Sequence, residues 1–254
     1  MGKYFQSWAL TRVKQAMVDY QMVKSGDRVA VALSGGKDST ALLYALTHVL
    51  RVSPAKFTLH GIYVDLGWEA AVNPLREFCE RLGVPFYYKP SEIGKIVFAV
   101  RKEKSPCALC SNLRRGVLNN TALELGCNVV ALGHHLDDAI ETFLMSLFFT
   151  GQFRTFAPRT ELDRTGLTMI RPLVYLFSEH VRRLARELNL PVIANPCPVS
   201  GLTKREEVKG VVGYLTGLYP DFKERFLNAL ITADLQNLWP KKEKEPVCPG
   251  SFHE

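Results

Sequence analysis

The 254-residue sequence has no long apolar run: its most hydrophobic stretch, Phe143 to Phe149, is interrupted by Ser146. That is far shorter than the about 20 residues a membrane-spanning helix needs. Lys3, Arg12 and Lys14 interrupt the apolar positions near the start, so no secretory leader is visible. Six cysteines in a chain this long do not make a disulfide scaffold. There is no internal repeat and no low-complexity tract. These absences exclude a membrane span, a small disulfide-stapled domain and a solenoid. They predict a cytoplasmic, reducing location, where clustered cysteines bind metal or act as thiols. The chain is 47% apolar, ordinary for a packed globular protein. Its 32 Lys plus Arg exceed its 25 Asp plus Glu, a net charge of +7. That excess suits a polyanion such as RNA or ATP, and equally a mildly basic enzyme.

What is present begins at Val29-Ala30-Val31-Ala32-Leu33, followed by Ser34-Gly35-Gly36-Lys37-Asp38-Ser39. A short strand runs into a hydroxyl, two glycines, a lysine and a second hydroxyl, and a helical pattern then opens. Glycines let the backbone pass close to a ligand, and free N–H groups at a helix start attract an anion. Ser34, Ser39 and Lys37 add donors and charge. The alternative is a plain glycine turn between strand and helix. A Walker A loop is excluded, because Asp38 follows Lys37 and Val31 stands where its first glycine belongs. The six residues resemble instead the PP-loop of ATP pyrophosphatases, which split ATP into AMP and pyrophosphate.

Apolar periodicity predicts helices over residues 4–23, 39–51, 70–82, 108–125, 136–149, 179–188, 204–217 and 221–237. Strands are expected over 28–33, 57–64, 85–88 and 128–132, with a fifth at Met169-Ile170. Residues 91–105 read as an irregular connector, 150–168 as a loop, and Pro191 to Ala194 as a short extended piece. Alternating strands and helices imply an α/β fold: a Rossmann-like parallel sheet of about five strands with helices on both faces. The expected organisation is an N-terminal helix (1–24), a nucleotide-binding catalytic unit (25–200), a helical segment (201–240) and a loose tail (241–254). Ligands in such sheets sit at the carboxyl ends of strands. Ser34, Asp65 and Gly133 all fall there.

Pro106-Cys107-Ala108-Leu109-Cys110 is a CxxC at a helix start, and Cys197 lies far downstream between prolines. Two thiolates at i and i+3 can face one metal or cluster, and a helix N-terminus lowers their pKa. Three cysteines would leave one coordination position open, which chemistry needs and a structural site avoids. A redox pair, a structural zinc site and three unrelated thiols are the competing readings. Cys79 and Cys127 fall on apolar positions and read as core, and Cys248 as incidental.

After the CxxC come Ser111-Asn112-Leu113-Arg114-Arg115-Gly116. After the fourth strand come Gly133-His134-His135-Leu136-Asp137-Asp138 and then Glu141-Thr142, and further on Ile170-Arg171-Pro172-Leu173. With the PP-loop, this order resembles the TtcA family of tRNA 2-thiocytidine synthetases, over about residues 25–220. The resemblance implies a [4Fe-4S] cluster on Cys107, Cys110 and Cys197. It departs from the family where a second CxxC is usual: Ser200 stands in the place of its second cysteine. The paired zinc-finger cysteines of the TtuA-type enzymes are also missing, which argues against the 2-thiouridine branch.

The implied reaction adenylates the C2 oxygen of a tRNA cytidine with ATP and replaces it with sulfur carried by the cluster. Ser34, Gly35, Gly36, Lys37 and Ser39 would hold the departing pyrophosphate. Asp38 with Asp137 or Asp138 would hold Mg²⁺. Asp65 would contact ribose or metal, or merely cap a turn. Arg114, one helical turn beyond Cys110, would reach cluster or substrate, and Arg171 a phosphate of RNA or nucleotide. For His134 and His135, a ligand role competes with a packing role. Arg182, Arg183, Arg186, Lys204 and Arg205 would track tRNA, or form a solvated face. A sulfur donor, cysteine desulfurase or free sulfide, is expected, and homodimers are frequent in the family. The alternatives are thiolation of uridine or of a small molecule, and a non-catalytic nucleotide or iron–sulfur sensor.

Overall fold

The computed structural model describes residues 2–68, 70–101, 106–194, 197–199 and 203–234. The run of small and β-branched residues in β1 (Arg28–Leu33) is buried almost throughout, as a strand covered on both faces requires. Its parallel neighbours are β2 (Thr58–Val64) and β4 (Val129–Ala131). With β3 (Phe86–Lys89), β5 (Arg159–Leu162) and β6 (Leu167–Ile170), the sheet order is β3-β2-β1-β4-β6-β5. Every neighbouring pair is parallel except β5 with β6, which is antiparallel.

Among the described residues the sheet therefore has six strands, one more than the sequence predicts. The additional strand, β5, lies inside the predicted loop. It is a polar edge strand, Arg-Thr-Glu-Leu, closed onto β6 by a turn in which Gly166 has φ +67°. With one side toward solvent and alternating partial exposure, it carries no apolar signal. The irregular connector likewise contains a short π-helical turn, Lys95–Val100.

Val29, Val31 and Leu33 face one layer, and Ala30, Ile62 and Val130 the other. The first layer is built on α1 (Gly2–Asp19), α2 (Lys37–Val52), α3 (Asn73–Leu82) and α6 (Ser178–Glu187). The second is built on α4 (Pro106–Glu124) and the π-turn. A third apolar cluster joins α5 (Leu136–Thr150) to α7 (Lys204–Leu218) and α8 (Phe222–Ile231). Among the described residues no helix is long and apolar enough to cross a membrane.

The chain winds outward from β1 through β2 to β3, then returns to β4 on the other side of β1. The crevice above β1 and β4 is thus the topological switch point, where such sheets bind ligands. Gly133 follows β4 and lies against the first turn of α2. A Cβ there would stand 3.0 Å from the Asp38 carbonyl oxygen and 3.3 Å from the Ser39 nitrogen. Gly133→Ala should therefore overpack this seam and cost about 1–3 kcal/mol in urea denaturation. Gly116→Ala, where an added Cβ meets nothing within 4 Å inside α4, should be neutral or slightly stabilising.

Candidate functional site

The turn after β1 is held by its own hydroxyls. Ser39 Oγ accepts from the Ser34 amide at 3.1 Å and donates to the Gly36 carbonyl at 2.9 Å. Ser34 Oγ lies 3.2 Å from Ser39 Oγ. Gly35 has φ +81°, and a Cβ on it would lie 2.2 Å from Ile193 Cγ1. The extended stretch 191–194 crosses the loop here, with the Ile193 amide donating to the Gly35 carbonyl at 2.9 Å. Gly36 caps α2 without a side chain, leaving the first amides of the helix open to an anion. Lys37 Nζ lies 2.6 Å from Asp38 Oδ1. Both side chains are partly exposed, so the pair adds little stability and leaves the lysine available to a phosphate.

Ser34, Gly36, Asp65, Arg114 and Ile193 line a cavity of about 310 Å³ beside this loop. Asp65 is buried, and its carboxylate accepts from the Gly67 amide at 3.1 Å and from the Tyr88 hydroxyl. It closes the turn after β2 and stands in the cavity wall at once.

Facing the loop, the start of α5 presents a graded set of acids. His135 is buried, with Nε2 3.7 Å from Asp38 Oδ1 and Nδ1 3.3 Å from Asp138 Oδ2. It links the two carboxylates that could share a divalent cation. Asp137 points elsewhere: it accepts from the Ser178 amide at 2.7 Å and from Lys223 Nζ at 2.7 Å. Burial pushes its pKa up, but these partners outweigh that and hold it below the usual carboxylate value. Of the two adjacent aspartates, Asp138 is brought to the loop and Asp137 anchors α6 and α8. Glu141, one turn on, is buried and pairs with Arg205 of α7 at 3.0 Å. Burial and the neighbouring Asp138 raise its pKa from 4.5 to about 7 despite Arg205. The sequence pattern gives Glu141 no role and sets Arg205 on a face that either tracks tRNA or meets solvent. Their signal was the i, i+3 spacing from Asp138, which puts Glu141 on the same helix face.

The CxxC occupies the first turn of α4. Cys107, Cys110 and Cys197 share the walls of a second cavity, of about 370 Å³, with Arg114 and His134. Among the described residues no three His, Cys, Asp or Glu side chains are set to hold a single metal ion. Three thiols around one cavity is the donor set that a multi-iron cluster, larger than one ion, would use. Position at a helix start predicts that these thiols are lowered. Cys110 is instead raised by burial, against the pull of Arg114 and with Cys197 and Cys107 adding to the rise. Burial also lowers the Arg114 guanidinium, partly offset by Cys110 and Tyr63. Arg114, with Val64 and Leu66, stands in the walls of both cavities.

His134 packs on Phe156, with ring centroids 5.2 Å apart, and is lowered to about 4, chiefly by burial. Arg171 donates to the Ala157 carbonyl at 2.5 Å and lies over the Phe156 ring at 4.8 Å. It braces the approach to β5, lines neither cavity, and is lowered to about 10, mainly by burial. Cys79 and Cys127 are core residues, both raised by burial. Arg183 pairs with Glu187 and Lys204 with Glu207, each at 2.8 Å. Ser200, Cys248 and the tail 241–254 lie outside the described residues.

Glu141 gives a pH signature. Its folded pKa lies above its unfolded value, so the native state binds more protons between pH 4.5 and about 7. Glu141's own contribution to stability therefore falls as pH rises through that window, by about 1–3 kcal/mol, while His134, lowered by burial, contributes a slope of the opposite sign. Glu141→Gln should remove this contribution, so that the variant gains stability relative to wild type as pH rises from 4.5 to about 7 in chemical denaturation at stepped pH. A slope that the substitution leaves intact would assign the proton uptake elsewhere.

Residues 7–208 match the PP-loop domain family. The chain is 37% identical to the tRNA-cytidine(32) 2-sulfurtransferase of Geobacter sulfurreducens, over 86% of each chain. It is 35% identical to that of Geobacter metallireducens, over 93% of each. Among solved structures it resembles the U34-tRNA thiolase NcsA from Methanococcus maripaludis with its [4Fe-4S] cluster, with a TM-score of 0.72 and 26% identity. That match covers 92% of this chain and 81% of NcsA. The chain thus belongs to the PP-loop domain family, in the branch of the tRNA-cytidine 2-sulfurtransferases.

Proposed function

We propose that this protein is an ATP-dependent tRNA sulfurtransferase that converts a cytidine to 2-thiocytidine. One observation carries the reading: Arg114 stands in the walls of both the loop cavity and the thiol cavity, so phosphate cradle and sulfur chemistry adjoin. The relatives' shared activity on tRNA cytidine and the basic net charge of +7 support it.

In the first half-reaction the C2 oxygen of cytosine attacks the α-phosphorus of ATP. The bond from that phosphorus to the β-phosphate breaks, and pyrophosphate leaves. The amides at the start of α2, Lys37 and the hydroxyls of Ser34 and Ser39 hold the charge that grows on the leaving group. Gly35 and Gly36 let the phosphates approach the backbone, and Gly133 lets β4 close on the same turn. Asp38 and Asp138 would hold a Mg²⁺, which neutralises phosphate charge when bound. Asp65 contacts the ribose from the cavity wall. Asp137 acts through position, by fixing the start of α5 on Ser178 and Lys223, and Arg171 by bracing the loop before β5.

In the second half-reaction a sulfide sulfur attacks C2, the C2–O bond breaks, and AMP leaves with the oxygen. Cys107, Cys110 and Cys197 would hold a [4Fe-4S] cluster, which supplies a carrier for the sulfur when bound. Arg114 steadies the charge of the departing AMP. The sulfur comes from a cysteine desulfurase or from free sulfide.

The decisive test is mass spectrometry of tRNA nucleosides from cells lacking the gene, complemented with wild type, Lys37→Ala or Cys197→Ser. Loss of 2-thiocytidine, restored by wild type alone, is the expected result. Unchanged thionucleosides would sink the tRNA reading in favour of a small-molecule substrate. Loss of a 2-thiouridine would keep the chemistry and correct the base.

A further inference from the structure

An enzyme that works on one base of an RNA loop must take that base out of its stack. The extruded ring then needs a flat surface, because unstacking removes its two best contacts. The thiol cavity supplies such a surface. Much of its wall is apolar, from the strand ends at Ala32, Ile62 and Leu132, and its volume of about 370 Å³ lies in the range of small-ligand sites. Among the described residues, two ring side chains stand in that wall, Phe98 and His134. The His134 ring is already packed on Phe156, whose ring also carries Arg171 at 4.8 Å. Phe98 remains.

Phe98 is half-buried and comes from the π-helical turn, a distortion that often marks functional sites. Its ring is backed by Trp68, with centroids 5.8 Å apart and planes at 50°. Trp68 is itself seated on a glycine. A Cβ on Gly94 would lie 2.8 Å from the Trp68 ring and 2.8 Å from the Leu66 carbonyl oxygen. The Gly94 amide donates to that same carbonyl at 2.7 Å. Gly94, Trp68 and Phe98 thus pack in series, the two rings tilted against each other, and deliver one aromatic ring into the cavity holding the three cysteines.

We propose that Phe98 is the platform on which the target base stacks, with Trp68 and Gly94 as the positioning residues that hold it. This assignment rests on the tRNA-thiolation reading. The surroundings select a neutral heteroaromatic ring: the strand ends offer apolar contact, and the charged Arg114 stands at the border with the phosphate cradle. Two bases enter the reaction, the RNA cytosine and the adenine of ATP. Phe98 serves the cytosine, because it lines the thiol cavity and is absent from the wall of the loop cavity.

The test uses the full-length enzyme and two anticodon stem–loop RNAs, one with cytidine at position 32, the position named for the relatives, and one abasic there. Binding of each RNA, thiolation of the first, and ATP affinity are measured for wild type, Phe98→Leu and Phe98→Tyr. Wild type should bind the cytidine RNA about five- to hundredfold more tightly than the abasic one, the range expected for one base–aromatic stack. Phe98→Leu should lose that discrimination and a similar factor in kcat/KM, with ATP affinity unchanged. Phe98→Tyr, which keeps the ring, should recover most of both. A Phe98→Leu enzyme that still discriminates as wild type does would overturn the assignment. So would a loss of ATP affinity in that variant, which would give the ring to adenine. A wild type that thiolates neither tRNA nor the cytidine stem–loop overturns the parent reading as well, and that arm is read without any variant.

Discussion

The whole site depends on how closely two backbones approach between β1 and β4. The first turn of α2 must lie over the end of β4 for the loop amides, Asp38 and the acids of α5 to share one crevice. Any side chain at Gly133 would sit at the limit of contact with the Asp38 carbonyl. The strands beneath are buried on both faces, so the seam cannot widen without disturbing two apolar layers. The rigidity comes from packing, and the chemistry is set on top of it at the point where the strand order reverses.

Charge then fastens the C-terminal helices to this frame. Arg205 of α7 reaches Glu141 and Asp138, and Lys223 of α8 reaches Asp137. Each helix sends one cation into the acidic start of α5, beneath an apolar seam of Leu136, Ile140, Val208 and Val212. From Asp38 through His135 to Asp138 and Arg205, titratable groups run in contact from the nucleotide loop to the periphery. Glu141 shows the cost of such crowding, since its carboxylate is disfavoured even with Arg205 beside it.

The loop was legible because its chemistry is local: glycines, hydroxyls and a lysine in six consecutive residues determine both shape and purpose. The three cysteines were legible as a group, and the fold brings them to one cavity, but their surroundings were not. Their expected helix-start acidity gave way at Cys110 to burial, which depends on neighbours far away in the chain. The pair Asp137-Asp138 shows a sharper limit. Adjacent residues on a helix point about 100° apart, so one of them had to turn away from the loop. Only the packing of α6 and α8 decided which. β5 escaped notice because a polar edge strand has no apolar alternation to reveal it. Phe98 escaped because a π-turn matches neither helical nor strand period.

The strap formed by residues 191–194 couples two centres that the chain could have kept apart. Its Ile193 amide is bound to Gly35, and its side chain occupies the space that a Cβ on that glycine would need. Cys197 follows only four residues later, within about 14 Å of extended chain. The loop that cradles phosphate and the third thiol are therefore ends of one short tether. Such a tether works in both directions: whatever settles one end limits the wandering of the other. On the proposed reading no separate messenger is needed between nucleotide and sulfur chemistry, because both would be held by the same few residues.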